Sequence, residues 1–399
     1  MRGQLRDILN TKTAYGFKSG SGTIIGCPAT YPKIGASAVS IPVVDLQDLS
    51  SPTLEHQEAA AQAILEGFGK YGLVYIKNHG IEDADLTRFY DSFLEFTSRP
   101  VEEKEKVSMP EIWYQRGWTP PETEQAVVAG GQPDFKECYF MAPEPLDPSA
   151  ATEYPEVYAQ NVWPENAEVF QKSYELIGHQ LHEIGLFLLR GAAKALGLEP
   201  FRFEQAVYGG PHVTRSLRYL PLKDDQVNTG ILWGEEHTDF NLLTLLPGGR
   251  FLDPSGSYCP KPDSSSGLYL RTRGDEKNPD GELLAGSAPA GCIVAQVGQE
   301  LEILTGGQFL ATPHVIKAPS TPGYSRVSMA HFIHLHAHQV LSPLPKFRTD
   351  DALRAYSPPV LAGTYGMKTL VDIGLAPTDV LNHLGYRHYD RLSTIRAKS

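Results

Sequence analysis

Apolar residues recur at helical spacing along one long stretch of the chain, from about residue 164 to residue 196. Because positions three and four apart share one face of an α-helix, the pattern predicts a long amphipathic helix that packs against the rest of the protein. Gly197 favours a stop directly after it. His179 and His182 lie off the apolar face, so we expect them in solvent and not in a metal site. That face comprises Phe170, Tyr174, Ile177, Leu181, Ile184, Leu188 and Ala192.

Patterns typical of short strands occupy much of the remaining sequence. Strand-like runs at 41–46 and 73–77 are separated by a helical stretch at 55–71, and a further helix is predicted at 83–98. From 213 to 338 short alternating segments with turn residues between them predict a series of strands. The sequence therefore predicts a mainly β fold with additional α-helices.

Composition narrows the class of protein. Hydrophobic residues make up 41% of the 399 positions, which is enough for a sizeable core, and the formal net charge is −12. A nucleic-acid-binding surface needs clustered Lys and Arg, which this sequence lacks, so we expect no nucleic-acid partner. The sequence contains no run of about 18 apolar residues and no apolar signal core near residue 1, so we expect no membrane association.

The cysteines indicate the redox environment. Four are present, with no C-x-x-C pair and no dense framework, namely Cys27, Cys138, Cys259 and Cys292. Such scattered thiols are typical of proteins from a reducing compartment. We therefore expect a cytoplasmic protein, and nothing in the sequence sets its oligomeric state.

The segment His237-Thr-Asp239 is the main candidate for chemistry. Residues two apart on a strand point to one face of the sheet, so an imidazole and a carboxylate would lie side by side. His314, from a neighbouring strand, would complete one face of an octahedron, and three protein ligands leave positions open, as non-haem Fe(II) oxygenases require. An isolated H-x-D pair is more often a surface or capping pair, so the interpretation depends on the surrounding sequence.

Several other segments accompany this pair in a fixed order. They are the run from His237 to Leu246, the stretch 296–306, His314, and Arg326-Val-Ser328, with Ile41-Pro-Val-Val-Asp45 and Asn78-His79-Gly80-Ile81 in the N-terminal part. In this order and spacing the sequence resembles the isopenicillin N synthase-like family of Fe(II)/2-oxoglutarate-dependent dioxygenases. The resemblance extends from residue 41 to residue 345, which is a whole-domain match.

The resemblance implies a fold and a division of the chain. The expected core is a double-stranded β-helix, which is a jelly roll of two facing antiparallel sheets, with helices packed outside it. Four regions are expected within what we take to be one structural unit. They are an N-terminal extension (1–40), an N-terminal family region of helices and first strands (41–165), the jelly-roll catalytic core (166–345) and a C-terminal helical segment (346–399).

The resemblance also implies an activity and its residues. Fe(II) would be bound by His237, Asp239 and His314, with 2-oxoglutarate and O₂ as co-substrates. The far carboxylate of 2-oxoglutarate would pair with Arg326 and Ser328. Tyr219 falls near a family position that touches the co-substrate. The expected reaction is oxidation of a small organic molecule with release of succinate and CO₂. Hydroxylation is the expected outcome, with desaturation and ring closure as alternatives.

This sequence departs from the family pattern at several points. The usual N-x-G-D is Gln296-Val-Gly298-Gln299 here, and the Arg that commonly follows the second histidine is Val315. The segment 249–267 is longer than usual and would be either a substrate lid or a surface insertion. The substrate pocket would include four residues that could equally serve packing, namely Tyr114, Arg116, Trp118 and Phe135. These departures leave the substrate undefined.

Three alternatives remain open at this stage. His334, His336 and His338 alternate, so on a strand they would share one face and could bind Zn or Ni, although a structural role is favoured because no carboxylate accompanies them. An isopenicillin N synthase-type oxidase would use the same triad without 2-oxoglutarate. A non-catalytic metal-binding jelly roll would use neither co-substrate.

Overall fold

The computed structural model describes residues 41–124, 135–227, 232–272 and 281–383. Strands are short and numerous in these ranges, as the alternating pattern predicts. They are β1 (Val43–Asp45), β2 (Leu73–Lys77), β3 (Gly117–Thr119), β4 (Lys136–Met141), β5 (Val213–Tyr219), β6 (Gly234–His237), β7 (Leu243–Leu246), β8 (Arg250–Leu252), β9 (Tyr258–Cys259), β10 (Gly267–Arg271), β11 (Leu283–Ala285), β12 (Ile293–Val297), β13 (His314–Lys317), β14 (Ser325–Ile333), β15 (Val340–Leu341) and β16 (Val360–Leu361).

Two larger sheets form the body of the protein. The major sheet has the order β1-β2-β12-β7-β14-β5-β4-β3, with β8 paired to β14 and β9 paired to β8. The minor sheet has the order β11-β10-β13-β6, and β15 pairs with β16 separately. Apart from the parallel pair β1 and β2, the strand pairs are antiparallel. The predicted jelly-roll core with flanking helices is confirmed.

Helices surround the sheets. They are α1 (Leu46–Leu49), α2 (Leu54–Glu66), α3 (Asp83–Thr97), α4 (Val101–Glu105), α5 (Glu168–Ala195), α6 (Arg202–Val207), α7 (Gln299–Leu304), α8 (Asp350–Ala355), α9 (Ala362–Asp372) and α10 (Val380–His383). The helix predicted at 55–71 is α-helical over Leu54–Glu66 and continues as a π-helical turn over Gly67–Tyr71. None of the helices in the described ranges combines the length and the apolarity that crossing a membrane requires.

Helix α5 is the long amphipathic helix that the sequence predicts, and it lies directly on β14. A Cβ atom on Gly185 would be 2.2 Å from Cδ1 of Ile333, so a side chain at this position could not be accommodated without movement. Ile333 is on the opposite face of β14 from Arg326 and Ser328, because successive residues of a strand alternate faces. The helix therefore supports the sheet from behind and leaves the other face of β14 to the interior of the jelly roll.

The expectation that His182 is solvated was wrong, whereas His179 is about half exposed and pairs with Glu144. The His182 side chain is 6% exposed, and its Nδ1 is 3.3 Å from Nε2 of His331 on β14. The buried face of α5 is wider than the apolar stripe, because the helix contacts β14 along this edge as well. His182, a polar residue beside the stripe, is therefore buried next to a second polar residue, His331.

The rival arrangement, in which His334, His336 and His338 share one face of a strand, does not form. Strand β14 ends at Ile333, and the three histidines lie in the irregular segment that follows it. His336 Nε2 is 3.1 Å from Asp147 Oδ2, and His338 Nε2 is 3.5 Å from the Glu153 carboxylate. Alternation in the sequence suggested a strand, but in the structure the His336 and His338 rings pack on each other, with centroids 5.2 Å apart, and each pairs with a carboxylate of another segment.

The longer segment 249–267 contains a short hairpin. Strand β8 pairs with Ser325–Val327 of β14, and β9 pairs with β8. Asp263 closes the second half of the segment by accepting hydrogen bonds from the backbone of Ser265, Ser266 and Ser320. The first half of the segment is thus an extension of the major sheet, beside Arg326.

Candidate metal centre

Two neighbouring strands of the minor sheet position the candidate metal ligands. His314 on β13 is the cross-strand partner of His237 on β6, and Asp239 follows β6 two residues later. The two imidazole rings are 4.4 Å apart between centroids. Oδ1 of Asp239 is 3.6 Å from Nε2 of His237 and 3.7 Å from Nε2 of His314. One ligand atom from each residue therefore converges on a common point, all within 4.8 Å of one another.

Hydrogen bonds orient the side chains of His237 and Asp239. Nδ1 of His237 lies 2.7 Å from the Glu235 carbonyl oxygen, so Nδ1–H donates to it and Nε2 is the ring nitrogen that faces Asp239. The Thr244 hydroxyl donates to Oδ2 of Asp239 at 2.7 Å. Because Oδ2 is occupied in this way, Oδ1 is the carboxylate atom that faces both histidines. This arrangement favours monodentate binding by Asp239.

The protonation states suit a divalent metal. Burial raises the pKa of the Asp239 carboxyl, but His314, His237 and the Thr244 hydroxyl outweigh burial and lower it. Burial and the nearby His237 lower the pKa of His314 to about 4. For His237 burial lowers the pKa, and the Asp239 carboxylate outweighs this and leaves the pKa raised. At neutral pH the site offers an ionised carboxylate beside a neutral His314, as metal binding requires.

Gln296 provides a further test of whether the site fits a metal. Its side-chain amide lies 2.7 Å from Nδ1 of His314, with the nitrogen facing the ring, and its buried Oε1 has no hydrogen-bond partner within the described ranges. If Nε2 of His314 binds a metal, Nδ1 carries the proton and donates a hydrogen bond, for which the Thr312 carbonyl oxygen at 3.3 Å is one acceptor. The opposite orientation of the amide places Oε1 beside Nδ1, and the two orientations differ only in atom assignment. The residue therefore fits a metal-bound His314.

Gln299 connects the metal strand to the C-terminal helix α9. Its Nε2 donates to the Thr238 hydroxyl at 2.6 Å, and Tyr365 of α9 donates to its Oε1. Thr238 is the residue between His237 and Asp239. A Cβ on Gly298 would lie 1.9 Å from the Asn241 carbonyl oxygen, which explains why the turn glycine is retained while both polar neighbours differ from the family pattern.

Arg326 and Ser328 share one face of β14. The Arg326 guanidinium carbon is 5.3 Å from the centroid of the Tyr219 ring and 5.9 Å from that of Phe251. Within the described ranges Arg326 forms no ion pair, so its donors are available to an anion. Tyr219 is the cross-strand partner of Arg326, and its ring also stacks on Trp233. Its direct contact in this structure is therefore with the arginine.

Two of the four residues suggested for the pocket have structural roles. Arg116 is fully buried and donates to the backbone carbonyls of Ala159, Gln115 and Val157. The Trp118 indole donates to the Glu137 carboxylate at 2.9 Å. For both, the packing alternative applies.

The rival histidine site is not formed. Among the described residues, His237, Asp239 and His314 are the group of three His, Cys, Asp or Glu side chains whose geometry could hold a metal ion. Sequence reasoning assigned no role to Thr244, Gln296 or Trp233, although the first two lie inside the motifs it used. Their contacts depend on side-chain direction across strands, which sequence order alone does not specify.

Comparison with known proteins agrees with this geometry. Residues 41–166 match the model of the non-haem dioxygenase in morphine synthesis N-terminal family, and residues 211–335 match that of the 2OG-Fe(II) oxygenase superfamily. Kihadalactone A synthase of Citrus sinensis is 28% identical over 82% of this chain and 91% of its own length. A homoarginine-6-hydroxylase of Arabidopsis thaliana is 27% identical over 76% of this chain and 87% of its own.

Solved structures show the same fold. A full-length Neurospora crassa protein in complex with alpha-ketoglutarate (2-oxoglutarate) superposes with a TM-score of 0.67 at 22% identity, covering 85% of this chain and 98% of that one. A 2OG-Fe(II) oxygenase family protein from Caulobacter crescentus superposes with a TM-score of 0.67 at 25% identity, covering 84% and 99%. The chain belongs to the 2OG-Fe(II) oxygenase superfamily and is of the isopenicillin N synthase-like type. It is a dioxygenase that uses Fe(II), 2-oxoglutarate and O₂.

Proposed function

We propose that His237, Asp239 and His314 bind the Fe(II) of this dioxygenase, and that Arg326 with Ser328 binds the far carboxylate of 2-oxoglutarate. The observation that carries the proposal is the convergence of three ligand atoms, one from each residue, within 4.8 Å of one another. Two imidazole nitrogens and one carboxylate oxygen suit a non-haem ferrous ion, and they leave room for a bidentate co-substrate and O₂.

The residues around the proposed ligands orient the ligands and the co-substrate. Thr244 and Glu235 orient two ligands, and the side-chain amide of Gln296, with its oxygen turned to the ring, would accept a hydrogen bond from Nδ1–H of His314. The rings of Tyr219 and Phe251 flank the Arg326 guanidinium. This packing holds its planar donors in place to bind a carboxylate. Bound Fe(II) supplies the oxygen-activating chemistry. In the overall reaction 2-oxoglutarate is oxidised to succinate and CO₂, and for a hydroxylation one oxygen atom of O₂ enters succinate and the other enters the substrate.

The substrate proposed here is a small organic molecule. The relatives include a homoarginine hydroxylase and a kihadalactone synthase, so they do not point to a single substrate. The net charge of −12 supports a small molecule over a nucleic acid. A cytoplasmic location and the four regions 1–40, 41–165, 166–345 and 346–399 remain predictions, and residues 1–40 and 384–399 lie outside the described ranges.

Release of labelled CO₂ from 1-¹⁴C-2-oxoglutarate tests the proposal. The wild-type protein with Fe(II) should release CO₂, slowly alone and faster with substrate, because family members couple decarboxylation to substrate oxidation. Asp239→Ala and Arg326→Ala should release little. The exposed Glu199→Ala serves as the control and should match wild type. CO₂ release by Asp239→Ala at the wild-type rate would refute the ligand assignment.

A further inference from the structure

Strands β14, β5 and β4 of the major sheet carry three cations on one face. In the register of the sheet Tyr219 pairs with Arg326 on one side and with Lys136 on the other. Arg215 is four residues from Tyr219 in β5 and therefore lies on the same face. This face, named here the cationic face, has neither Asp nor Glu. It comprises Arg326, Ser328, Ala330 and Phe332 of β14, Val213, Arg215, Leu217 and Tyr219 of β5, and Lys136, Cys138 and Phe140 of β4.

Packing against the minor sheet shows that the cationic face is directed inward. Leu217 and Tyr219 belong to an apolar cluster with Trp233, the residue before β6, and Ile316 of β13 packs against this cluster. Ile316 is two residues from His314, the proposed ligand at the start of β13. The cationic face is therefore on the side of the major sheet that faces the strands of the metal centre.

The register also places Arg215 within reach of a molecule bound at the metal. Thr244 donates a hydrogen bond to the Asp239 carboxylate. Across the sheet, Thr244 pairs with Phe332, and Phe332 pairs with Val213. The two strand spacings from Thr244 to Val213 amount to roughly 10 Å. Arg215 is the next residue after Val213 on the same face, so its guanidinium can hold one end of a small molecule whose other end is at the metal.

Three contacts hold the Arg215 guanidinium and leave some of its donors unused. Nη2 donates to the Glu124 carboxylate and lies 3.1 Å from the Cys138 sulfur. Cζ lies 5.0 Å from the centroid of the Phe140 ring, which is on the paired strand. Nη1 has no hydrogen-bond partner within the described ranges, and the side chain is 17% exposed. The arginine is thus oriented in advance, and the two N–H groups of Nη1 are available to an anion.

Glu124 alone does not balance the cations of this face. Its carboxylate is also 3.4 Å from Nζ of Lys136, so that one anion is shared between two cations. The third cation, Arg326, is proposed to bind 2-oxoglutarate. A charge inside a protein is unfavourable unless an opposite charge compensates for its lost hydration. An anionic group of a ligand beside Arg215 would be stabilised there, whereas a cationic group would be repelled.

We propose that the substrate of the oxidation is a carboxylic acid and that Arg215 binds its carboxylate. The inference rests on the proposed function and adds a class of substrate to it. The two arginines of the cationic face then have separate roles, Arg326 with the co-substrate and Arg215 with the substrate. The carbon that is oxidised belongs to the part of the molecule that extends from Arg215 towards His237 and Asp239.

Three probes of nearly the same size and different charge test the substrate class. They are phenylacetate, which is an anion; phenylacetamide, which is uncharged; and 2-phenylethylammonium, which is a cation. Their binding is measured by calorimetry on the anaerobic protein loaded with Fe(II) and saturated with 2-oxoglutarate, so that Arg326 is occupied. We expect phenylacetate to bind about ten- to one-hundred-fold tighter than phenylacetamide, the factor that a hydrogen bond between charged groups supplies. The ammonium should bind most weakly.

Two variants with opposite effects locate the site. Arg215→Gln should reduce the affinity for phenylacetate to that for phenylacetamide. Glu124→Gln should increase the affinity for phenylacetate, because the carboxylate that competes for the guanidinium loses its charge. An arginine that served only to pair with Glu124 would give no such increase. Arg190 supplies the matched control, since it pairs with Glu204 through two hydrogen bonds on α5 and α6, and Arg190→Gln should bind the probes as wild type does.

Each contrary outcome overturns a stated part. Phenylacetate that binds wild type no tighter than phenylacetamide, or not at all, overturns the substrate class. Phenylacetate affinity that is unchanged in Arg215→Gln, or that does not increase in Glu124→Gln, overturns the role of Arg215.

Binding of 2-oxoglutarate is followed separately by the metal-to-keto-acid absorption band, and circular dichroism checks the fold of each variant. The band should form in both variants. Its loss in a folded Arg215→Gln would assign Arg215 to the co-substrate and overturn the proposal. A missing band in wild type refutes the proposed function, whereas a normal band with equal binding of phenylacetate and phenylacetamide refutes only the substrate class.

Discussion

The Thr244 hydroxyl lies 2.7 Å from Oδ2 of Asp239, and Oδ1 of the same carboxylate faces both His237 and His314. Thr244, on β7, thus determines that Oδ1 of Asp239 is the oxygen available to bind the metal. The same hydroxyl lies 3.2 Å from Oδ1 of Asn241, so the threonine is held in the turn between the ligand and its strand.

We expect Thr244→Val to weaken Fe(II) binding by about ten- to one-hundred-fold, the usual cost of losing a hydrogen-bond partner of a metal ligand. Valine matches threonine in shape and removes only the donor. Thr244→Ser keeps the hydroxyl and should retain most of the affinity. Anaerobic Fe(II) titration measures both, and equal affinities for Thr244→Val and wild type would show that the carboxylate needs no such support.

Replacing His237 or Asp239 with alanine should abolish Fe(II) binding, or weaken it greatly, and leave the fold intact. A catalytic site with open positions contributes less to folding than a closed structural site does. His338→Ala is the control, since this side chain is partly exposed and pairs with Glu153. Circular dichroism checks the fold, and retained iron binding in Asp239→Ala would remove this residue from the ligand set.

Gln296→Leu should lower the affinity for Fe(II) by up to about ten-fold, because the Nδ1–H of a metal-bound His314 would lose its nearer acceptor and keep only the Thr312 carbonyl oxygen, at 3.3 Å. Gln296→Glu restores an acceptor and should recover much of the affinity. Nitrogen NMR of the zinc-loaded protein reports the tautomer of His314 directly. If Gln296→Leu keeps both an Nδ1-protonated His314 and the wild-type affinity for the metal, Gln296 has a packing role only.

The metal centre was predictable because its residues are defined by sequence spacing. His237 and Asp239 are two apart at a strand end, and His314 begins a strand in the same family order. Such local patterns can be recognised in the sequence without knowledge of the fold. The long helix α5 was predictable for the same reason, since its apolar stripe has a helical period.

What the sequence could not provide are contacts between distant segments. His334, His336 and His338 alternate as residues of a strand would, yet β14 ends before them and they lie in an irregular segment. His182 is polar and off the stripe, yet it is buried against His331.

Glu300 predicts a specific dependence of stability on pH. Because burial raises the pKa of Glu300 well above its usual value of 4.5, the folded protein keeps a proton that the unfolded chain releases. Its contribution to the free energy of unfolding is therefore full below about pH 4.5 and falls as the pH rises towards the folded pKa. Glu300→Gln cannot lose a proton, so relative to wild type it should gain stability between pH 5 and pH 8. Urea unfolding at both pH values measures this, and a constant difference between the proteins would mean that Glu300 is ionised when folded.

The central claim is that the triad holds Fe(II) and that Arg326 holds 2-oxoglutarate beside it. Anaerobic titration of the Fe(II)-loaded protein with 2-oxoglutarate, followed by the metal-to-keto-acid charge-transfer band, tests it most directly. Wild type should develop the band and saturate. Arg326→Lys should need more 2-oxoglutarate, because an ammonium lacks the planar fork, and Arg326→Ala should need far more, at a cost of roughly 2–5 kcal/mol. No band in iron-loaded wild type at saturating 2-oxoglutarate, or equal titration curves for wild type and Arg326→Ala, would contradict the account.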